Sequence, residues 1–159
     1  IEVLSDTNEY YAVNFRIHEK NFFSIWISTQ NGDSFLKKNN RLLFFLNSED
    51  LYNFCKENSI MIESETLFDF DSIDYTNYNN IINLWNIISD MSKTLGLLFT
   101  GDTDEMIDIY KKLLCGCNLP ALNQSEEKYA PNFSKAEITS INSVISDMRE
   151  ILRTVFIIK

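Results

Sequence analysis

The sequence predicts an α+β fold, with an antiparallel sheet mostly from the N-terminal half packed with helices mostly from the C-terminal half. Before residue 30, apolar and polar residues alternate, which is the period of a half-buried strand. After residue 77, apolar residues recur every three or four positions, which is typical of amphipathic helices. Strands that precede helices favour α+β. The length of 159 residues fits one domain, so we expect residues 1–159 to form a single globular domain.

The first two predicted strands form a hairpin. Residues 11–17 and 23–28 both alternate in polarity, and the polar residues 18–21 supply the turn between them. A second turn contains Asn31-Gly32, a pair that readily takes the positive φ angles of a tight turn, and a short strand over residues 34–36 follows. The apolar run RLLFFL at residues 41–46 is short and continuous, which favours a strand buried on both faces.

A helix is predicted after this run. Asn47 is a suitable N-cap, acidic residues occupy the first turn, and Asn58 is a plausible last residue. Residues 59–63 (SIMIE) then read as a strand. The acidic stretch at residues 64–77 reads as a loop.

The second half is predicted to be helical. Tyr78 begins an apolar face that continues to Gly96 or Gly101, and residues 102–105 are expected to cap a helix that ends at Gly116. Residues 118–132 read as a loop. Ser134 and Glu137 have the spacing of a capping box, which predicts a helix to about residue 154. The last apolar run, residues 155–158, either ends this helix or adds an edge strand.

Charge excludes two classes of function. The chain has 23 acidic and 14 basic residues, a net charge of −9 and a pI near 4.6. We therefore exclude direct nucleic-acid binding through a basic face, and a polybasic membrane-surface protein. The acidity is concentrated: residues 57–92 contain seven acidic residues and no Lys, Arg or His, whereas each flank has a net charge of −1. A local field of this sign attracts a basic partner.

No residue pattern predicts catalysis or metal binding. His18 is the one histidine and lies in a polar turn, where a solvated side chain is expected. Cys115 and Cys117 would need Cys55 and His18 to complete a zinc site, and the spacing does not suit one. Residues 69–74 do not match a calcium-binding loop. We therefore expect no enzyme activity, no catalytic residues, no metal and no cofactor.

Cellular location is predicted from three features. No apolar run reaches the roughly 18–20 residues of a membrane span. The first residues lack a signal-peptide pattern, and three cysteines do not form a secreted disulfide framework. A cytoplasmic protein without a membrane partner is expected.

The acidic segment, residues 63–75, is the predicted binding surface. Its carboxylates alternate with Leu, Phe, Ile and Tyr, a mixture that suits an interface in which aromatics anchor and charges steer. A solvated loop whose apolar residues enter the core is the alternative. The candidate interface residues are Glu63, Glu65, Asp69, Asp71, Asp74, Tyr75 and Tyr78.

The stretch from Arg41 to Asp71, RLLFFLNSEDLYNFCKENSIMIESETLFDFD, resembles immunity proteins of bacterial contact-dependent growth inhibition and related polymorphic toxin systems. The resemblance covers about a fifth of the chain and consists of a strand, a capped helix, a strand and an acidic loop. It implies a non-enzymatic protein that binds one cognate toxin domain and blocks its active site or substrate surface. Such toxins are often basic nucleases that cleave tRNA or DNA.

Two other functions stay open from sequence. One is a small hydrolase that uses carboxylates, and the other is an acidic nucleic-acid mimic from a mobile element. The mimic and the immunity protein share their electrostatics and differ only in partner.

Overall fold

The computed structural model describes residues 8–157 and confirms the α+β fold. Its helices are α1 (Ser48–Glu57), α2 (Tyr78–Leu95), α3 (Ile107–Gly116) and α4 (Lys135–Val155). Its strands are β1 (Glu9–Ile17), β2 (Lys20–Thr29), β3 (Gly32–Phe35), β4 (Lys37–Lys38), β5 (Arg41–Leu42), β6 (Phe44–Phe45) and β7 (Ile62–Asp69). Two short 3₁₀ turns, Thr100–Asp102 and Asp104–Met106, precede α3.

The described chain divides into two compact units. The sheet unit contains the described residues up to Asp71 together with Lys93–Leu95, and the helix unit contains Ser72–Ser92 and the described residues from Gly96 onward. The prediction of a single domain stays a prediction, which can be tested by measuring whether the two units unfold together in urea.

The sheet of the first unit is mixed, whereas an antiparallel sheet was expected. Strand order is β3-β2-β1-β7, and β6 pairs with β2 further along the edge that β3 occupies. The β1–β2 hairpin is antiparallel, but β7 runs parallel to β1. A parallel neighbour requires a crossover, and α1 lies in the connection between β6 and β7.

The two faces of this sheet are both apolar in the middle. On one face Ala12, Phe23 and Ile25 form a cluster with Leu51 and Cys55 of α1. On the other face Phe15 is fully buried, with the rings of Phe35, Phe68 and Phe70 at centroid distances of 6.0 to 6.3 Å. The hairpin is therefore the centre of the unit's core.

The strand predicted over residues 41–46 is wrong in two respects. The run breaks at Leu43, whose N–H donates to the carbonyl of Leu36, and its two halves pair with different strands. Leu42 is buried, but Phe44 and Phe45 are half-buried and Leu46 is exposed, so the run is not covered on both faces. The cause is a turn at Asn39-Asn40, where both residues have positive φ and fold β5 back onto β4.

Most predicted helix ends are confirmed. Asn47 caps α1, with its side chain accepting from the Asp50 N–H, and the left-handed Gly96 ends α2. Ser134 and Glu137 form the expected capping box, and α4 ends at Val155. The expectation that residues 102–105 cap α3 is wrong, since a 3₁₀ turn precedes that helix and Met106 occupies its N-cap without a side-chain bond.

The core of the helix unit centres on Trp85. Its ring packs edge-on against Phe99 and Tyr110, and its indole N–H donates to the carbonyl of Gly101 at 3.2 Å. Leu113 of α3 and Met148 of α4 are fully buried in the same unit. Residues 118–132 form a loop, as predicted.

Candidate functional site: an acidic edge strand

The prediction of a loop over residues 64–77 is wrong in its first part, because residues 64–69 belong to β7. The predicted strand at residues 59–63 is shifted by several residues, to Ile62–Asp69. Glutamate and aspartate are poor strand formers, but hydrogen bonding to the buried β1 ladder outweighs this preference. A strand therefore presents the carboxylates at fixed spacing.

β7 lies at the edge of the sheet. Among residues 8–157 it pairs only with β1, so its outer backbone edge has no strand partner in the described chain. Five consecutive residues from Glu63 to Leu67 are exposed, and Leu67 keeps 55% of its surface accessible. An exposed edge of this length is a surface to which another chain can add.

Two glutamates project from opposite faces of β7. A bulge places Glu63 and Ser64 opposite the single residue Tyr11, while Glu65 pairs with Ala12. Residues opposite each other share a face of the sheet, so Glu65 lies on the α1 side. There the Tyr52 hydroxyl donates to its carboxylate at 3.2 Å.

An aromatic pair adjoins Glu63. Tyr11 and Trp26 lie opposite each other in the β1–β2 hairpin, with ring centroids 5.2 Å apart, and both are half-buried. The Tyr11 hydroxyl donates to Glu9 at 2.5 Å, and this bond raises the pKa of Tyr11. Burial and the carboxylates of Glu9, Glu63 and Asp33 add to the rise. We call the surface around these residues the acidic edge. It comprises Glu63 and Glu65 of β7, Glu9 and Tyr11 of β1, Trp26 of β2 and Asp33 of β3.

Asp71 has a structural role that sequence reasoning missed. Its two carboxylate oxygens accept the backbone N–H groups of His18 and Glu19, each at 2.8 Å, and Arg16 lies 4.0 Å away. His18 and Glu19 both have positive φ, so Asp71 holds the strained turn of the hairpin. Both carboxylate oxygens of Asp71 therefore already accept hydrogen bonds from this turn.

Asp69 and Asp74 also make local bonds. Asp69 accepts the Asp71 N–H at 2.9 Å. Asp74 accepts both the N–H and the hydroxyl of Thr76, and these bonds lower the pKa of Asp74. Of the two predicted tyrosines, Tyr75 is exposed, whereas Tyr78 is half-buried with its ring against Phe133.

The structure therefore divides the seven predicted interface residues. Glu63, Glu65, Asp69 and Asp71 belong to the sheet unit, and Asp74, Tyr75 and Tyr78 belong to the helix unit. Only Glu63 and Glu65 are both exposed and held on the outer strand. Sequence reasoning missed five neighbouring residues: Glu9, Tyr11, Trp26, Asp33 and Tyr52. The register of the hairpin places Tyr11 opposite Trp26 once the two-residue turn is known.

The other sequence candidates lie apart from this surface or carry no assembled site. His18 is exposed, Cys55 is buried, and burial raises the pKa of the Cys55 thiol. Across residues 8–157, no three His, Cys, Asp or Glu side chains come together in a way that could hold a metal ion. The helices of that same range are all too short or too polar to cross a membrane.

Comparison with protein-family models, curated proteins and solved structures gives no significant match for this chain.

Proposed function

We propose that this chain is a non-enzymatic immunity protein that binds a cognate basic toxin domain through the acidic edge. The observation that carries the proposal is the exposed outer strand β7, which presents carboxylates on both faces beside a half-exposed aromatic pair. In this proposal the protein acts in the cytoplasm, uses no cofactor and makes no direct contact with nucleic acid. The toxin domain is of the nuclease type.

Electrostatics explain why such a surface suits that partner. A nuclease presents positive potential to hold phosphates, and a carboxylate surface competes for the same field. Charge steering then gives fast association that weakens as salt rises. Trp26 and Tyr11 supply the apolar contact area that charges alone do not provide.

The backbone of β7 adds a second source of affinity. The N–H and C=O groups on its outer edge, which has no strand partner within residues 8–157, can pair with a strand of the partner, and Glu63 and Glu65 favour a strand that carries Lys or Arg. The same carboxylates repel the β7 edge of another copy, because like charges would face each other.

The test uses the toxin domain encoded beside the gene for this chain. Glu63→Lys with Glu65→Lys is expected to slow association at low salt by at least about tenfold and to flatten its salt dependence. Surface plasmon resonance between 50 and 300 mM NaCl measures both quantities. Asp69 and Asp71 are left intact, since their oxygens hold backbone groups and their loss would alter folding.

A matched control carries the same change of charge elsewhere. Glu57→Lys with Glu105→Lys alters two exposed glutamates outside the acidic edge and should leave the association rate within about twofold. Equal losses in both double variants would show a general effect of net charge and would refute this interface. A neighbouring domain that is not toxic, or that does not bind the wild-type chain, would refute the immunity function itself.

A further inference from the structure

A groove in the helix unit has the opposite charge to the acidic edge. It has a volume of about 640 Å³, within the range of small-molecule sites. Three lysines and one glutamate line it: Lys111, Lys112, Lys128 and Glu127. A cluster of lysines is unexpected on a chain whose net charge is −9, so it needs a reason of its own.

The wall of the groove is preformed by hydrogen bonds. The side chain of Asn118 donates to the carbonyl of Tyr129 at 2.9 Å and accepts the Tyr129 N–H at 2.7 Å, which closes the loop at its base. Asn123 donates to the Glu127 carbonyl, and the Glu127 N–H donates to Ser125. Little ordering is therefore needed when a ligand enters.

The lysines are not all explained by local structure. Lys112 forms an ion pair with Glu137 at 3.1 Å and lies 5.0 Å above the Phe133 ring. Lys111 lies in the middle of α3, outside its last turn, so the helix dipole does not account for its position. Lys128 lies on the loop between α3 and α4. Within the described chain, no ion pair or hydrogen bond occupies the ammonium groups of Lys111 and Lys128.

The groove also has neutral donors and an apolar side. The Ser125 hydroxyl accepts the Glu127 N–H, which leaves its own proton available to a ligand oxygen. Tyr129 lines the groove with 46% of its surface exposed, and the apolar side chains of Leu122 and Ala130 also line it. Positive charge with hydroxyl donors suits anionic oxygens, and the apolar wall suits a small organic body.

We propose that this groove binds a small anion that carries phosphate or several carboxylate groups. Lys111 and Lys128 contact the anionic oxygens, and Lys112, held by Glu137 and Phe133, contributes fixed positive charge. The proposal is independent of the acidic edge, because every lining residue belongs to the helix unit.

Isothermal titration calorimetry with inorganic pyrophosphate, citrate and AMP at constant ionic strength tests the site. At least one of these anions should bind with a submillimolar Kd, and Lys111→Ala with Lys128→Ala should weaken it by at least about tenfold. Pyrophosphate and citrate distinguish phosphate from carboxylate recognition, and AMP tests the apolar wall. Absence of binding by all three would overturn the proposal.

Two further variants keep the result interpretable. Lys56→Ala with Lys93→Ala makes the same change of charge at exposed lysines outside the groove and should leave the Kd within about twofold. Glu127→Gln removes the carboxylate that lines the groove while keeping the backbone bonds of the loop, so it should tighten binding by about twofold to fivefold. Equal weakening in both lysine pairs, or no gain from Glu127→Gln, would contradict this site.

Discussion

The sheet unit and the helix unit use polar side chains over different ranges of sequence. In the sheet unit, Asp71 caps a turn that lies more than fifty residues earlier in the chain. In the helix unit, Ser134 and Glu137 cap each other across three residues. The short-range caps are visible in the sequence, whereas the role of Asp71 emerges only when β7 lies beside β1.

The two units also differ in the charge of the surface that each is proposed to use for binding. The sheet unit exposes carboxylates along the outer strand β7, and the helix unit exposes the lysines that line its groove. The net charge of −9 describes neither surface. Charge counted along a sequence therefore locates a functional surface only when the fold keeps the counted residues together.

The largest expected effect tests whether the two units unfold together. Phe15→Ala removes a fully buried ring from the sheet and should lower the free energy of unfolding by about 3–5 kcal/mol. Each unit contains one tryptophan, Trp26 in the sheet unit and Trp85 in the helix unit. Urea unfolding followed by fluorescence in Trp26→Phe and Trp85→Phe backgrounds therefore reports each unit separately.

A single cooperative domain predicts that Phe15→Ala shifts both fluorescence transitions to lower urea by the same amount. A shift confined to the Trp26 signal would show that the units unfold independently and would refute the single-domain prediction. Each background is compared with its own parent, because Trp85 is itself buried and its loss lowers stability.

An intermediate effect is expected from the long-range cap. Asp71→Ala removes two charge-assisted hydrogen bonds to the hairpin turn and should lower stability by about 1–2 kcal/mol, a value reduced by the partial exposure of this carboxylate. Urea unfolding measures the loss. Glu63→Ala removes another exposed carboxylate of the sheet unit, which accepts no backbone N–H within residues 8–157, and should change stability by less than about 0.5 kcal/mol. Equal effects from the two variants would contradict the structural role of Asp71.

The smallest effect concerns pH in the helix unit. The hydrogen bond from the Ser134 N–H and the ion pair with Lys112 hold the pKa of Glu137 below its ordinary value. The unfolded chain therefore binds a proton more readily than the folded one, and this contribution to stability is present at neutral pH and is lost as the pH falls through the folded pKa. Glu137→Gln keeps the cap but not the charge, so its Tm should lie below that of the wild type at pH 7 and approach it below about pH 4.

Ser134→Ala serves as the control for this pH dependence. It removes the hydroxyl that accepts the Glu137 N–H and should cost about 1 kcal/mol at every pH, because a hydroxyl does not titrate in this range. A Tm difference between Glu137→Gln and the wild type that does not change with pH would show that the Glu137 charge contributes nothing.

Local patterns in the sequence predict the fold class, the β1–β2 hairpin, and the ends of α1, α2 and α4. These features depend on residues within a few positions of one another: alternating apolar side chains, Asn47 as a cap, Gly96 in the left-handed conformation, and the capping box at Ser134. Local backbone geometry and side-chain hydrogen bonds are sufficient to specify them.

The remaining features, above all the position and direction of β7, depend on contacts between distant segments of the chain. β7 became a strand because the buried β1 ladder offered hydrogen bonds that outweigh the poor strand preference of its acidic residues, and its parallel direction followed from the α1 crossover. The same pairing brought Glu63 beside Tyr11 and Asp71 to the hairpin turn, and it set apart the residues that the sequence had grouped as one acidic loop. Pairing between distant segments depends on burial and register across the whole unit, and no window along the sequence contains that information.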